Sequence, residues 1–539
     1  SFADTQNPRK AQALQTLRTL YPDYESVVHR HILQDPARAL RMAIETRRLQ
    51  KDPRPVVLSI SHALGGGTHK HVLELAQHLT TQATFLTLLP KSDGRVAVRW
   101  LQEGSSLELF FQLDRDYGAL LDWLRMVGLS RVHIHHTLGV PPVLWGLARD
   151  LHLPLDFTAH DFYSFCPQVS LTGADHRYCG EPDEDGCNRC LQVLPAPGGG
   201  DIQSWRQGYT TLLRHAERVF CPSEDTAVRL RERFPMARVV VAPHTDHFDE
   251  AQGQTRVLPA PVVSPVPIGP ERPLRVAILG ALSPVKGADL LEQVALISQK
   301  SGAPIAFHLL GRAYRDLAGP PSAALTVHGP YKDEELSSLL AWLKPDIVWF
   351  PATWPETYSY TLSASLAAGL PVVAPNLGAF AERLAGRAWS VVLPWDLPPA
   401  DVANVFARLA REHFALGSPP PSDATALLPP GWSSAAVERR SLPVLGQPAA
   451  RSTARFDYRA DYLGSVGHGL RPFQGEALSP QFYVQHAYQD SFSQATGRAR
   501  LGVISAYNRI KALPLFRNVV EAVPASLRTR AYRFLASGG

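Results

Sequence analysis

The fold is decided by one stretch of the sequence, Trp354-Pro-Glu-Thr-Tyr-Ser-Tyr-Thr-Leu-Ser-Ala-Ser-Leu-Ala-Ala-Gly-Leu-Pro-Val-Val-Ala-Pro375. The apolar segment 346–352 before it is typical of a buried parallel strand. Residues 361–368 then predict a helix that stops at Gly369, and residues 371–374 predict a second strand. This order is a βαβ unit, whose connecting loop lies at the carboxyl edge of a parallel sheet, where ligands bind.

The loop of this unit carries one carboxylate, Glu356, just before the predicted helix. The free backbone N–H groups at a helix start can bind a phosphate, while a nearby carboxylate can accept hydrogen bonds from hydroxyls. This combination suits a sugar nucleotide. The alternative is that Glu356 only caps the helix and favours its dipole.

The same stretch resembles the donor-binding segment of GT-B glycosyltransferases of family 4. In that family a Pro-Glu pair opens the loop, and a second Glu follows after seven intervening residues. Glu356 matches the first Glu. The position of the second, which in the family holds the ribose hydroxyls, is Ala364.

Length and composition limit the possible classes. A chain of 539 residues predicts two or three domains, and 45% hydrophobic with 19% charged residues predicts a soluble globular protein. No apolar run predicts a membrane helix, and no secretory leader is evident. The net charge of +5 comes with scattered Arg residues, so no nucleic-acid partner is expected, although weak attraction to anionic membranes is compatible with it. Five cysteines indicate a reducing compartment, so we expect a cytoplasmic protein.

The first α/β domain opens with a predicted strand at 55–61, followed by Gly65, Gly66 and Gly67 and an amphipathic helix. Gly-rich turns alone are weak evidence of binding, because many proteins use them only to turn tightly. The family resemblance implies that this loop approaches the donor phosphates and the acceptor. Further alternating strands and helices predict a parallel sheet.

Histidines follow two predicted strands of this domain. His133 and His135 alternate to one face and His136 to the other, while His160 ends the next strand. Core histidines, a metal site and sugar-binding groups are the competing interpretations, and metal is the least favoured because no further ligand stands at a suitable spacing. His160 resembles the family histidine that hydrogen-bonds the hexose.

Four of the five cysteines lie close together in a Gly-, Pro- and Asp-rich segment, predicted to be an irregular loop: Cys166, Cys179, Cys187 and Cys190. A zinc ion bound by four thiolates would stabilise a loop with so little apolar material. An iron–sulfur cluster, a disulfide and free thiols are the alternatives. We expect structural zinc.

The second α/β domain follows a Pro-rich linker at 243–273 and opens with a predicted strand, turn and helix. Lys286 lies in the turn, where an ammonium can reach a diphosphate; a solvated surface Lys is the alternative. In the family a Lys-Gly pair at this point binds the diphosphate, usually after an Arg. The position of that Arg holds Ala281, and Arg312 is a candidate substitute. Glu382, after Gly378, resembles a further family Glu, which makes it a candidate donor-binding residue; a helix residue without a binding role is the alternative.

The predicted domains are a helical extension (1–53), an acceptor domain with the Cys-rich loop 166–190 (54–255), a nucleotide-sugar donor domain (256–416), a Pro-rich linker (417–455) and a C-terminal extension (456–539). Residues 510–535 predict an amphipathic helix that docks on the body of the protein, on a partner or on a membrane surface.

The resemblance implies an α/β fold of the GT-B type, with two Rossmann-like domains facing across a cleft. It implies transfer of a sugar from a nucleotide diphosphate sugar to a glycan or lipid-linked acceptor, with retention of configuration and without a catalytic metal. Lys286 and the helix start at Thr361 and Leu362 would hold the diphosphate, Glu356 the sugar and His160 the acceptor side. We expect a role in surface polysaccharide assembly. The alternative is a catalytically impaired GT-B module that acts as a binding or scaffold domain.

Overall fold

The computed structural model describes residues 8–249, 254–255, 258–421, 424–429, 432, 456–464 and 478–488. The predicted C-terminal helix at 510–535 and most of the predicted Pro-rich linker at 417–455 lie outside these residues. Contacts divide the chain into two units. The smaller comprises residues 1–51, 92–126 and 474–539, and the larger comprises residues 52–91 and 127–473.

The strands, in chain order, are β1 (Val56–Ile60), β2 (Thr84–Pro90), β3 (Val96–Trp100), β4 (Glu108–Phe111), β5 (Leu129–Ile134), β6 (Leu155–Thr158), β7 (Arg218–Cys221), β8 (Val239–Val241), β9 (Phe248–Asp249), β10 (Gln254–Thr255), β11 (Leu274–Leu282), β12 (Ile305–Ala313), β13 (Leu325–Gly329), β14 (Ile347–Trp349), β15 (Val372–Pro375) and β16 (Ser390–Leu393).

The α-helices are α1 (Pro8–Leu20), α2 (Tyr24–Gln34), α3 (Arg38–Gln50), α4 (Gly66–His78), α5 (Leu113–Met126), α6 (Leu147–Asp150), α7 (Glu184–Val193), α8 (Ile202–His215), α9 (Glu224–Arg233), α10 (Ala288–Ser301), α11 (Leu336–Leu343), α12 (Tyr360–Ala367), α13 (Ala379–Leu384), α14 (Pro399–Arg408), α15 (Tyr458–Asp461) and α16 (Pro480–His486). None of the described helices is both long and apolar enough to cross a bilayer.

The larger unit contains two parallel sheets. In the first, the strands of this unit follow the order β2-β1-β5-β6-β7-β8. In the second, the order is β13-β12-β11-β14-β15-β16. In each sheet, successive strands are added first toward one edge and then toward the other. This switch point lies between β1 and β5 in the first sheet and between β11 and β14 in the second. Ligands bind beyond the carboxyl ends of the strands at such switch points.

Continuous apolar runs explain the buried strands. Every residue of β1 and β5 is buried, as expected for strands covered on both faces. In the second sheet, the helices α10 and α14 pack their apolar faces on the strands, and fully buried residues from both layers form one core: Ile278, Leu291, Phe307, Trp349 and Phe406. These layers agree with the predicted pair of Rossmann-like domains.

The smaller unit combines α1, α2 and α3 with the antiparallel hairpin β3–β4, α5 and α16. Trp123 of α5 is fully buried, and its indole N–H donates to Thr46 of α3 at 3.3 Å. His486 of α16 bonds the carbonyl of Phe110 at 3.0 Å. The predicted N-terminal helices are therefore present.

One local prediction is wrong. The cysteine-rich segment is not irregular throughout, because α7 occupies residues 184–193 and carries Cys187 and Cys190. Asp183 caps this helix by accepting a hydrogen bond from the N–H of Gly186 at 2.9 Å. An Asp followed by two acidic residues is a helix-start signal, which the density of Gly, Pro and Asp in the segment obscured.

Candidate active site

Lys286 and Glu356 lie together at the switch point of the second sheet. Lys286 is in the turn after β11, and Glu356 is in the loop 350–359 after β14, here called the Glu356 loop. The Nζ of Lys286 is 3.5 Å from Oε1 of Glu356. The Lys286 side chain is 46% exposed and that of Glu356 is 12% exposed, so the ammonium is accessible to a ligand while the carboxylate is largely buried.

Two glycines make this approach possible. Gly287 has φ +83°, and a Cβ there would lie 1.9 Å from the carbonyl oxygen of Pro351. Gly378 has φ +65°, and a Cβ there would lie 2.4 Å from the carbonyl oxygen of Glu356. Any other residue would clash with backbone at both positions. The Lys-Gly turn and the start of α13 are thus seated directly on the Glu356 loop.

Ser359, rather than Glu356, caps α12. Its hydroxyl accepts a hydrogen bond from the N–H of Leu362 at 3.2 Å, and its own φ is +71°. The helix-cap interpretation of Glu356 is therefore not what the structure shows. A non-glycine residue at positive φ is strained, and such strain is concentrated at functional sites. A Ser directly before the helix was the signal for this cap.

Arg383 of α13 holds the end of the Glu356 loop. Its guanidinium donates to the carbonyl oxygens of Tyr358 and Ser359 at 2.7 and 3.0 Å and to the hydroxyl of Ser363 at 2.7 Å. It also lies 4.3 Å from the centroid of the Tyr358 ring. This support was missed in the sequence, because Arg383 reaches the loop only through the packing of α13.

Arg312 stands beside Ala281, where the family resemblance implies an Arg. The two residues are direct partners in the parallel register of β11 and β12, and both are exposed. The guanidinium of Arg312, on the strand next to β11, therefore extends from the same part of the sheet as the Arg that the resemblance implies at position 281.

The glycine turn of the first sheet faces the start of α12. Gly65 and Gly66 have φ of +78° and +73°, and a Cβ at either would meet nothing within 4 Å. A Cβ at Gly67 would lie 3.7 Å from the Tyr360 ring. Lys70, one turn along α4, lies 4.7 Å from the centroid of that ring and 2.7 Å from a carboxylate oxygen of Asp333. The turn and the donor-side helix start thus border a common space.

His160 connects the two sheets. Its carbonyl accepts a hydrogen bond from the hydroxyl of Thr357 at 2.5 Å, directly beside Glu356. Its Nε2 lies 3.2 Å from Nδ1 of His135. Burial lowers the pKa of His160 well below its ordinary value, so the ring is uncharged at neutral pH. A neutral imidazole can donate a hydrogen bond to a sugar hydroxyl or accept one from it.

The neighbouring histidines His133 and His136 have structural partners. The ring nitrogens of His133 bond the hydroxyls of Tyr462 and Thr158 at 2.8 and 2.7 Å. Nε2 of His136 lies 2.8 Å from a carboxylate oxygen of Asp161. His133 also stacks on His135 with ring centroids 3.9 Å apart, which agrees with the predicted alternation.

Glu382 is engaged with the first Rossmann-like domain. Its carboxylate accepts hydrogen bonds from the backbone N–H groups of Glu224 and Asp225 at the start of α9, at 3.1 and 3.0 Å. Burial raises the pKa of Glu382. The carboxylate predicted to contact a donor thus bonds two backbone amides of the other domain.

The cysteine-rich loop contacts the Glu356 loop. The N–H of Tyr178 donates to the carbonyl of Thr353 at 2.8 Å, and the Thr353 hydroxyl donates to the carbonyl of His176 at 3.0 Å. Burial raises the pKa of Cys166 to about 12. Among the described residues, no three of these four thiols form a group with sulfur atoms within 4.8 Å of one another. Zinc binding by these cysteines stays a prediction.

Comparisons with known proteins agree with this architecture. Residues 65–245 match the family model described as Glycosyltransferase Family 4. This match confirms the predicted resemblance and, with the two parallel sheets, the predicted GT-B fold class; it also bears out the predicted class of enzyme, a glycosyltransferase. A search of curated proteins finds no match.

Solved structures with a similar chain path have low sequence identity. The Anabaena protein HepE in complex with UDP is 14% identical, and the match covers 72% of this chain and 95% of that chain with a TM-score of 0.41. Sucrose-phosphate synthase from Thermosynechococcus elongatus is 14% identical, with 67% and 90% covered and a TM-score of 0.43.

Proposed function

We propose that this protein transfers a sugar from a nucleotide diphosphate sugar to a hydroxyl of a glycan or lipid-linked acceptor, with retention of configuration. One observation carries the proposal: Lys286 Nζ lies 3.5 Å from Glu356 Oε1 at the switch point between β11 and β14. An ammonium and a carboxylate at this point match the two halves of the donor, a diphosphate and a sugar with hydroxyls.

The diphosphate is assigned to cationic and amide groups of the second sheet. Lys286 contributes a point charge, and Arg312 contributes a planar fork of donors suited to phosphate. The N–H of Leu362 already donates to Ser359, so the amide of Thr361 is the better candidate at the start of α12. Glu382 acts by bonding α9 of the first domain.

The reaction depends on stabilising the leaving diphosphate. As the acceptor oxygen bonds the anomeric carbon, the bond from that carbon to the β-phosphate oxygen breaks, and the acceptor proton passes to the departing phosphate. Lys286 and the amide of Thr361 offset the negative charge that develops on the diphosphate. Glu356 orients the sugar through its hydroxyls, and neutral His160 lies on the acceptor side. Gly65, Gly66 and Gly67 leave room for the ligand.

A donor titration and a transfer assay test this function. UDP-glucose and a panel of other nucleotide sugars are titrated calorimetrically, and donor hydrolysis is followed for each. We expect one donor to bind and to be hydrolysed, and Glu356→Gln to weaken both, because the amide loses the charge that strengthens hydrogen bonds to sugar hydroxyls. The matched control is Glu334→Gln, an exposed carboxylate of the same domain. Absence of nucleotide binding across the panel would contradict the proposal.

The alternative function is a catalytically impaired GT-B module that binds a sugar or a partner. It is favoured by one observation, the Ala364 side chain where the family places a Glu. Ala364→Glu separates the two functions. An active enzyme should bind its donor more tightly when this carboxylate is added, whereas a scaffold should bind no donor in either form.

Two further proposals concern the cellular role of the protein and its cysteine-rich loop. We propose that the protein works in surface polysaccharide assembly in the cytoplasm, at or near the membrane that carries a lipid-linked acceptor. We also propose that Cys166, Cys179, Cys187 and Cys190 bind a structural zinc ion, since the loop they occupy supports Thr353 through its backbone. Metal analysis of wild-type protein and of a Cys187→Ser/Cys190→Ser variant tests this.

A further inference from the structure

Three histidines from separate elements converge behind the proposed acceptor side. His71 is on α4, His135 follows β5, and His160 follows β6. One ring nitrogen from each can be chosen so that all three lie within 4.8 Å of one another. Within the described residues, no other group of three His, Cys, Asp or Glu residues meets this distance.

His71 is the unusual member of this group. Its side chain is fully buried, and neither ring nitrogen has a hydrogen-bond partner within the described part of the chain. Buried polar atoms normally have a partner, because leaving one unsatisfied costs free energy. These nitrogens therefore indicate a ligand.

His133 shows that the same region can satisfy a buried histidine. It is fully buried and stacks on His135, yet both of its ring nitrogens bond hydroxyl groups. The unpartnered nitrogens of His71 are thus not a general property of the core here.

We propose that His71, His135 and His160 bind one divalent transition-metal ion, with Zn²⁺ as the best fit. A set of three imidazoles favours Zn²⁺, Cu²⁺ or Ni²⁺ over Mg²⁺ and Ca²⁺, which require oxygen ligands. Nδ1 of His135 and Nε2 of His160 are 3.2 Å apart, close to the spacing of roughly 3.3 Å between two nitrogens of a tetrahedral zinc site with Zn–N bonds of about 2.0–2.1 Å.

The protonation states suit this site. Burial lowers the pKa of His71 to about 3 and that of His135 well below its ordinary value. A histidine binds a metal ion as a neutral imidazole, so no proton has to be released from these rings when a metal ion binds at neutral pH. The ion would tie α4 to the ends of β5 and β6 and fix the ring of His160. Zinc binding here requires neither the transfer reaction nor the predicted cysteine-bound zinc, although His160 also belongs to the proposed acceptor side.

The test measures metal binding and metal-dependent stability. Purified full-length protein is stripped with a chelator, dialysed and titrated with Zn²⁺, and metal per chain is measured by mass spectrometry. His71→Leu and His71→Asn should bind about one zinc ion fewer than wild type, because loss of one of three protein ligands opens the site. Zinc held by cysteines is present in every variant and cancels in the difference. His69→Ala, an exposed histidine on the same helix, is the matched control.

A second readout separates a metal site from a buried histidine that merely packs. Zn²⁺ should raise the midpoint of thermal unfolding of wild type and His69→Ala more than that of either His71 variant. Co²⁺ in place of Zn²⁺ should give visible absorption that the His71 variants lose, while any thiolate charge-transfer band is unchanged. Equal metal content and equal stabilisation in wild type and in a folded His71 variant would overturn the proposal, with circular dichroism establishing folding.

Discussion

The two sheets of the larger unit present different chemistry at equivalent places. At the switch point between β1 and β5, the first sheet gathers His71, His135 and His160, which are uncharged. At the switch point between β11 and β14, the second sheet gathers Lys286 and Glu356, which form an ion pair. One edge is thus suited to neutral groups or a metal ion, and the other to a charged ligand.

This difference shows how one topology can divide the recognition of a two-part substrate. Lys286 supplies a positive charge for the diphosphate at the second edge, whereas the imidazoles of the first edge are neutral and can form hydrogen bonds with sugar hydroxyls. Burial makes the first edge neutral, because it disfavours the charged form of each imidazole. The Lys286 side chain is 46% exposed, so its ammonium is accessible to a ligand.

The largest expected effect follows from removing the charge of the second edge. Lys286→Ala should lower the rate of transfer by about 10²- to 10³-fold, since losing one preorganised donor to developing negative charge has that cost. Steady-state kinetics with the donor found by titration measures it. Lys300→Ala, at the exposed far end of α10, is the control and should keep wild-type activity. A Lys286 variant with near-normal turnover would remove the contrast between the two edges.

The next effect comes from cutting the hydrogen bond that joins the edges. Thr357→Val keeps the shape of the side chain but leaves the His160 carbonyl without the hydroxyl that bonds it at 2.5 Å. Thr357 is buried, so unfolding free energy should fall by about 1–3 kcal/mol. Urea denaturation measures the change, and Thr326→Val on exposed β13 should show almost none. Equal stability of both variants would mean that the edges are not coupled through this bond.

The sequence allowed the charged edge to be predicted better than the neutral one. The Lys-Gly turn, the Glu356 loop and the βαβ order are local patterns, so the sequence alone predicts both Lys286 and Glu356, which lie 3.5 Å apart in the structure. His71 was not named, because it is far in sequence from His135 and meets it only when α4 packs beside β5. Metal was accordingly the least favoured interpretation of the histidines.

The cysteines illustrate the opposite case. Their closeness in sequence predicted a metal site, yet the described structure does not group three of them at ligand distance. Ser359 and Arg383 were missed for different reasons. Ser359 has the residue type and position of a helix cap, but Glu356 was the residue considered for that role from the sequence. Arg383 contacts the loop only through tertiary packing. Local patterns therefore gave the fold and half of the site, and packing gave the rest.

A smaller effect sharpens the description of the charged edge. Arg312→Ala should weaken donor binding about tenfold, because one exposed charge-assisted contact contributes roughly 1.4 kcal/mol. The residue is the register partner of Ala281, so the double variant Ala281→Arg/Arg312→Ala should recover binding. Calorimetric titration of the donor compares the three proteins. Failure of the double variant to recover, with Arg312→Ala impaired, would show that Arg312 acts from its own position only.

The smallest expected effect concerns Glu74, a carboxylate on α4, the helix that also carries His71. Burial raises the pKa of Glu74 from 4.5 to about 7; a hydrogen bond with Tyr360 and the charge of Lys70 act against this shift, and the charges of Asp246 and Asp333 act with it. Because the folded state holds the proton more tightly, this group contributes stability that is complete below pH 4.5 and is lost as the pH rises through about 7.

Glu74→Gln keeps a neutral group at every pH, so it isolates this contribution. The variant should match wild type in thermal unfolding below pH 4.5 and be more stable than wild type at pH 8, with the difference growing between those values. Glu334→Gln, an exposed carboxylate, should follow the wild-type profile throughout. If wild type and Glu74→Gln run parallel across the range, Glu74 is ionised in the folded protein near neutral pH, and the edge formed by α4 and β5 carries a negative charge rather than being neutral.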